Sequence, residues 1–260
     1  MIDYIFSLDE LEYFLLVMSR MLGFVTAAPF FNMNNAPRRV RVGLAFFVSL
    51  LLYHTSLPHG TVVYHTVWGY GMIVMKEAVV GLLIGFGAQI CTTIVTFAGM
   101  TIDMNIGLSM VSMLDPTTRE NTSISGMYLQ YTTMLMLLVS GMYQFLLSAV
   151  TDSYRLIPVN GAVFGTDHLV WSMTRFLSEY IIIGFRICLP VFAVVMVMNA
   201  VLGILAKVAP QMNMFAIGIQ LKILVGLMIL FFTYAMLPGA ADFIFREIRI
   251  MVTRFMEGMM

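Results

Sequence analysis

Between Val62 and Ile102 the chain carries no charge except the adjacent pair Lys76-Glu77, and between Asn121 and Thr151 it carries none at all. Segments of this kind cannot face water along their length. Across all 260 residues, apolar types make up 60% and charged types 11%. A soluble domain has about 45–50% apolar and about 25% charged residues. Charge is therefore too scarce to coat a soluble surface, which excludes secreted, disordered, collagen-like and cytosolic globular classes. A multi-span membrane protein remains, as does a subunit buried deep inside an oligomer.

Charges and turn residues divide the chain into six apolar runs. Tyr13–Phe31 is interrupted only by Arg20, and Val42–Leu57 ends at Pro58-His59-Gly60. Val62–Ile102, Ile124–Val150, Leu169–Ala206 and Met214–Ala241 follow. A bilayer core needs about 20 apolar residues per helix, so runs one, two, four and six are each expected to hold one span. The third would reach about 60 Å as one helix at about 1.5 Å per residue. Lys76-Glu77 contains no turn residue, which favours long helices packed on protein rather than lipid. Pro190 should kink the fifth run. Asp152–Asp167 reads as a loop, and the tail from Asp242 to Met260 alternates charged with apolar residues as an amphipathic surface helix does. The basic loop with Arg38, Arg39 and Arg41 is expected to face the cytoplasm, with the acidic N-terminus outside. Met1–Glu12 has no basic residue and four acidic ones, unlike a secretory n-region, and is expected to be retained.

Arg20, Lys76, Glu77, Arg186, Lys207 and Lys222 interrupt or border apolar runs. Such charges face protein or a water-filled path, and helix or subunit pairing is the expected use. Neighbours on a helix diverge, so Lys76 and Glu77 are expected to pair on different faces. Gly81 and Gly85 form a GxxxG spacing that lets helices approach closely. The segment 103–121 contains Gly107 and Asp115-Pro116 and is too polar to cross lipid as a regular helix. Its Leu108, Met110, Met113 and Leu114 are nevertheless too apolar for a solvated loop. Irregular backbone at membrane depth is tolerated only inside protein or along a cavity. One reading is a loop folded on its own helices, and the other is a flexible apolar plug in a pore.

Catalytic chemistry finds little support. His54, His59, His65 and His168 show no metal-ligand spacing, and no GxSxG, P-loop or dinucleotide fingerprint occurs. Asp103 and Asp115 lack the context of an aspartyl pair. Cys91 and Cys188 lie in apolar runs and read as buried free thiols, with a disulfide the alternative. Zero net charge gives no pull toward nucleic acid. The expectation is a protein without enzymatic activity, cofactor or metal.

The stretch Ala206-Lys-Val-Ala-Pro-Gln-Met-Asn-Met-Phe-Ala-Ile-Gly-Ile-Gln-Leu-Lys222 resembles the FliR family of flagellar type III export-gate proteins and their injectisome counterparts. Arg20, Pro29, the run Pro37–Ala45, Lys76-Glu77 with Gly81 and Gly85, and Asp103, Gly107 and Asp115-Pro116 are similar to further blocks of that family, so the resemblance covers essentially the whole chain. Met110 and Met113 stand where relatives commonly have aromatic residues. Independently of the resemblance, Pro210 interrupts a helix, Gln211 and Asn213 can satisfy the backbone groups it frees, and Lys207 and Lys222 flank the turn.

The resemblance implies an all-α subunit of about six long helices, arranged as hairpins buried in a hetero-oligomeric gate. Its N-terminal part would span about 1–167, with the central loop at 104–121, followed by a helical hairpin over about 168–241 and the tail at 242–260. FliP-like and FliQ-like subunits would be its partners, with FlhB-like and FlhA-like proteins nearby, unfolded secreted proteins as cargo and membrane lipid around it. The site would be the bacterial inner membrane at the flagellar basal body. Leu108, Met110, Met113 and Leu114 would seal the channel. Arg20, Lys76, Glu77, Asp103, Asp115, Lys207, Pro210, Gln211, Asn213 and Lys222 would serve structure and subunit contacts. The alternative is a secondary transporter of small solutes, but Pro190 and Pro210 have no matching pair in the N-terminal half.

Overall fold

The structure is a computed structural model that describes residues 8–32, 37–55, 62, 64, 66–109, 123–209, 211 and 213–260. Among these residues it is all-α, with eight α-helices and one 3-10 turn. Helix α1 is Leu8–Ala27, α2 Arg38–Thr55, α3 Val67–Ile106, α4 Ile124–Val139 and α5 Met142–Leu156. Then come α6 (Thr166–Val208), α7 (Met214–Thr233), a 3-10 turn at Tyr234–Met236, and α8 (Leu237–Glu257). Both cysteines are free and buried.

The chain forms two compact units, one of Met1–Cys91, Gly141–Phe176 and Phe245–Met260, the other of Thr92–Ser140 and Leu177–Ile244. In the first unit, α1 buries Tyr13, Phe14, Leu16, Val17, Arg20, Met21 and Phe24, a three-to-four-residue spacing that makes one continuous face. Helix α2 lies against that face through Phe14, whose ring centroid is 5.6 Å from Phe46 and 6.0 Å from Tyr53. Helix α8 turns its own stripe inward, burying Ile248, Met251, Val252, Phe255 and Met256. Gly87 of α3 makes room for it, since a Cβ there would lie 2.7 Å from the Phe255 ring. The end of α8 is tied to the segment before α6 by Val163 N donating to Met259 O (3.0 Å) and Gly165 N donating to Gly258 O (3.0 Å). The apolar stripe of α8 is thus spent on protein.

In the second unit, the C-terminal part of α3 is the centre. Phe97 packs on Tyr180 (5.8 Å) and Phe185 (6.0 Å) of α6, and the Tyr180 hydroxyl donates to Thr93 O at 3.1 Å. Gly226 of α7 faces Ile106, and a Cβ on Gly218 of α7 would lie 3.4 Å from Leu202 of α6. That last contact sets the first half of α7 against the C-terminal part of α6.

Two expectations about the spans are corrected. Among the described residues, three helices are long and apolar enough to cross a membrane: α3, α6 and α7. Helices α1 and α2 are not among them, because Asp9, Glu10, Glu12 and Arg20 lower the hydropathy of one and Arg38, Arg39 and Arg41 that of the other. The fourth run is not one regular helix either. It breaks at Gly141, which has φ +78°, and only α4 and α5 taken together, as one broken span, would supply a fourth crossing. With the expected tail helix α8, the described residues form eight helices. The third run is one 40-residue helix, and α6 continues through Pro190 for 43 residues. Within the chain, 56% of the most apolar window of α3 is buried, against 22% for α6 and 17% for α7.

Candidate functional site

The first cluster is built by glycine. Glu77, Gly81, Ile84, Gly85 and Ala88 recur at helical spacing on one buried face of α3. A Cβ on Gly81 would overlap the Arg20 carbonyl, and one on Gly85 would lie 2.7 Å from Phe24 O. Helices α1 and α3 therefore meet backbone to backbone, which leaves Arg20 and Glu77 wholly buried with each other. Arg20 Nε donates to Glu77 Oε2 at 2.6 Å. Its Nη1 donates to Ile157 O (3.0 Å) and Ser153 O (3.2 Å) at the end of α5. The guanidinium lies over the Tyr154 ring, 4.4 Å from its centroid, and the Tyr154 hydroxyl donates to Val17 O at 2.8 Å. Arg20 Nη2 has no hydrogen-bond acceptor among the described residues.

The other carboxylate oxygen, Glu77 Oε1, accepts from Asn160 N at 2.8 Å, and Lys76 Nζ donates to Asn160 O at 3.1 Å. Asn160 has φ +67°, in a turn closed by Gly161 N donating to Pro158 O at 2.8 Å. Lys76 and Glu77 thus converge on one turn, because the N–H and the C=O of Asn160 are both free to bond with α3, while Glu77 also pairs with Arg20. Burial pushes the nearby Tyr13 phenol above its ordinary value; Arg20 opposes this, and Glu77 and Tyr53 add to it. A buried charge pair of this kind costs roughly 3–5 kcal/mol when one partner is removed. It fixes three helices and has no exposed atom with which to meet a substrate.

The second cluster sits at the base of the central segment. Helix α3 ends at Ile106, and Gly107 follows with φ +93° and its N–H on Asp103 O at 3.0 Å, a left-handed cap suited to glycine. Leu108 is half-buried in the turn beyond it. The chain resumes at Ser123, the N-cap of α4, whose Oγ accepts from Gly126 N at 2.9 Å. Asp103 is 3% exposed; its Oδ2 accepts from Ser123 Oγ (2.7 Å) and Ser125 N (3.2 Å). One carboxylate on α3 thus satisfies the first turn of α4, at the end where the helix dipole favours an anion. One turn back, Gly99 and Gly126 meet so closely that a Cβ on Gly99 would overlap Gly126. Both ends of the central segment are pinned to the same point.

The third feature is the hairpin turn. Asn213 Oδ1 accepts from Ala216 N at 3.4 Å and caps α7. Gln211 and Lys207 are exposed, and Lys222 is half-buried with no partner among the described residues. Arg186 is exposed on α6. Met110, Met113, Leu114, Asp115 and Pro210 lie outside the described residues. No group of three His, Cys, Asp or Glu side chains among the described residues could hold a metal ion.

The family described as "Bacterial export proteins, family 1" matches residues 11–248. The chain belongs to this export family. It is 30% identical over 227 residues to the "Flagellar biosynthetic protein FliR" of Bacillus subtilis (strain 168), covering 86% of each chain. It is 25% identical over 229 residues to the protein of that name from Escherichia coli (strain K12), covering 88% of this chain and 87% of the other. The "Surface presentation of antigens protein SpaR" of Shigella sonnei is 27% identical over 205 residues, covering 78% of this chain and 77% of its own.

In this export-family chain, sequence reasoning singled out Arg20, Glu77, Lys76 and Asp103 without their partners. It missed Ser153, Tyr154, Ile157 and Asn160 in the first cluster and Ser123 and Ser125 in the second. Two signals were available. Pro158-Val-Asn-Gly161 is a turn sequence in which Asn tolerates a left-handed backbone. Ser123 just before an apolar run is an N-cap signature.

Proposed function

We propose that this chain is a core, non-enzymatic subunit of the flagellar type III protein export gate, at the channel entrance for unfolded flagellar proteins, and that its central segment helps seal that channel. Similarity to flagellar biosynthetic relatives over 86% of both chains carries the assignment. The geometry supports it in two ways. Helices α6 and α7 leave most of their apolar surface uncovered by the chain itself, as a subunit assembled with others would. The base of the central segment is pinned by Asp103 to Ser123, so a segment rich in Met and Leu is presented from a fixed point. FliP-like and FliQ-like subunits cover α6 and α7 in this reading, with FlhB-like and FlhA-like proteins adjacent, in the bacterial inner membrane at the basal body.

Purification in mild detergent tests the assignment. A gate subunit comes out with other export proteins, and a strain lacking it loses motility and regains it on complementation. Recovery as a lone chain or homo-oligomer that moves a small solute would establish the transporter alternative instead.

A further inference from the structure

Helix α2 begins with Arg38, Arg39 and Arg41 and has no acidic residue in its first turn. No acidic residue occurs anywhere between Glu12 and Glu77. Arg41 is occupied, its Nη1 donating to Asn32 Oδ1 at 2.6 Å. Arg38 and Arg39 are exposed, and neither makes an ion pair or a hydrogen bond among the described residues. They stand at the mouth of an open groove of about 510 Å³ that is otherwise lined by Met18, Val42, Gly43 and Phe46. Met18 also lines a second groove of about 430 Å³ between α1 and α3, with Leu22, Met75, Val79 and Leu82 on its walls. Two neighbouring cations thus stand on one apolar groove, with a second apolar groove on the other side of Met18.

The α1–α3 groove offers a polar occupant no free donor. Its only hydroxyls, Ser19 and Thr26, already donate to the helix's own carbonyls, Ser19 to Leu16 O and Thr26 to Gly23 O, both at 2.8 Å, and are left as acceptors. An extended peptide would leave its carbonyls unsatisfied there, at a cost a hydrocarbon chain does not incur. The mouth asks for the opposite chemistry, a compact anion able to take bonds from two guanidiniums. Val40, Phe47 and Leu51, on another side of α2, are 57%, 64% and 65% exposed. The helix therefore also presents apolar side chains outward beyond the groove.

We propose that this groove binds one anionic phospholipid, with the phosphate at Arg38 and Arg39 and an acyl chain laid over Gly43 and past Met18 toward the α1–α3 groove. Each basic residue at a membrane surface strengthens attraction to anionic lipid, and the acyl chain supplies the selectivity for a lipid over a free anion. Gly43 has no neighbour within 4 Å of where its Cβ would stand, so the floor of the groove is open at that point.

Native mass spectrometry of the full-length protein, in detergent doped with phosphatidylglycerol or phosphatidylcholine, reads this directly. The expected result is one retained phosphatidylglycerol, no retained phosphatidylcholine, and no competition from inorganic phosphate. R38Q/R39Q should weaken retention on the order of thirtyfold, while R38K/R39K keeps most of it. G43L should lower retention with both arginines intact, which separates loss of the acyl track from loss of charge. Equal retention of both lipids, unchanged retention in R38Q/R39Q, or displacement by inorganic phosphate alone would each overturn the proposal. So would a co-purifying protein subunit that R38Q/R39Q releases while lipid retention is unchanged, since the groove would then be a protein interface.

Discussion

Arg20 and Glu77 set the stakes at the scale of single residues. Each is completely buried, so the worth of the pair shows only when one partner goes. Arg20→Met should leave an uncompensated carboxylate and cost roughly 3–5 kcal/mol, with Glu77→Leu costing a similar amount. The double variant should cost much less than their sum. Thermal midpoints of the purified protein in detergent, taken as a double-mutant cycle, check this; additive losses would mean the two side chains do not act as a pair. Asp103 offers a gentler case. Asp103→Asn keeps an acceptor for Ser123 and Ser125 but removes the charge that favours the start of α4, a change of about 1 kcal/mol. Asp103→Ala removes the acceptor as well. The expected order of proteolytic protection for the central segment is wild type, then Asn, then Ala, read by limited proteolysis of the assembled protein.

Helices meet here through glycine, and this makes whole elements sensitive to single methyl groups. Gly81→Leu should push α1 from α3, because its side chain would overlap the Arg20 backbone. Loss of assembled protein, measured by blue native electrophoresis, is the expected outcome. Gly71→Leu on the same helix, where a Cβ meets open space, should assemble normally and serves as the matched control. The α6–α7 hairpin carries a separate test. Lys222 is half-buried on α7 with no partner among the described residues. Lys222→Glu would place an acid in a site formed around a base, and burying a repelling charge costs several kcal/mol. Motility and gate recovery should both fall, and normal swimming with an intact gate would place Lys222 in solvent. The GxxxG spacing was readable from sequence. Which helix each glycine faces was not, since a spacing gives a face and not a partner.

For the molecule as a whole, the uncovered surface and the central segment carry the functional question. Helices α6 and α7 expose large apolar residues such as Ile182, Leu189, Phe231 and Phe232, at 59% or more. Cysteine scanning with a membrane-impermeant reagent should find this surface protected in the assembled gate, and α3 protected over much of its length even before assembly. Met110 and Met113 belong to the central segment. Flexible thioether side chains can close around varied shapes, and an apolar constriction can exclude ions by dewetting. Changing both to Ala, or deleting residues 108–114, should raise passive ion leakage of the purified gate in planar bilayers while the complex remains recoverable. A gate as tightly sealed as wild type would place the seal elsewhere.

The class is legible in the amino acids alone: an all-helical, charge-poor chain whose long runs had to be covered by lipid or protein, with an export-family signature across its length. Charge scarcity and helical spacing are local quantities, so they survive without a structure. Tertiary structure decided which runs qualify as spans, because the charges of α1 and α2 fall inside their helices and Gly141 breaks the fourth run. It also decided which charges are partners. Arg20 and Glu77 are 57 residues apart, and nothing in either local stretch names the other. The backbone contacts at Gly23, Gly81 and Gly85 bring them together, in a place where neither can reach water.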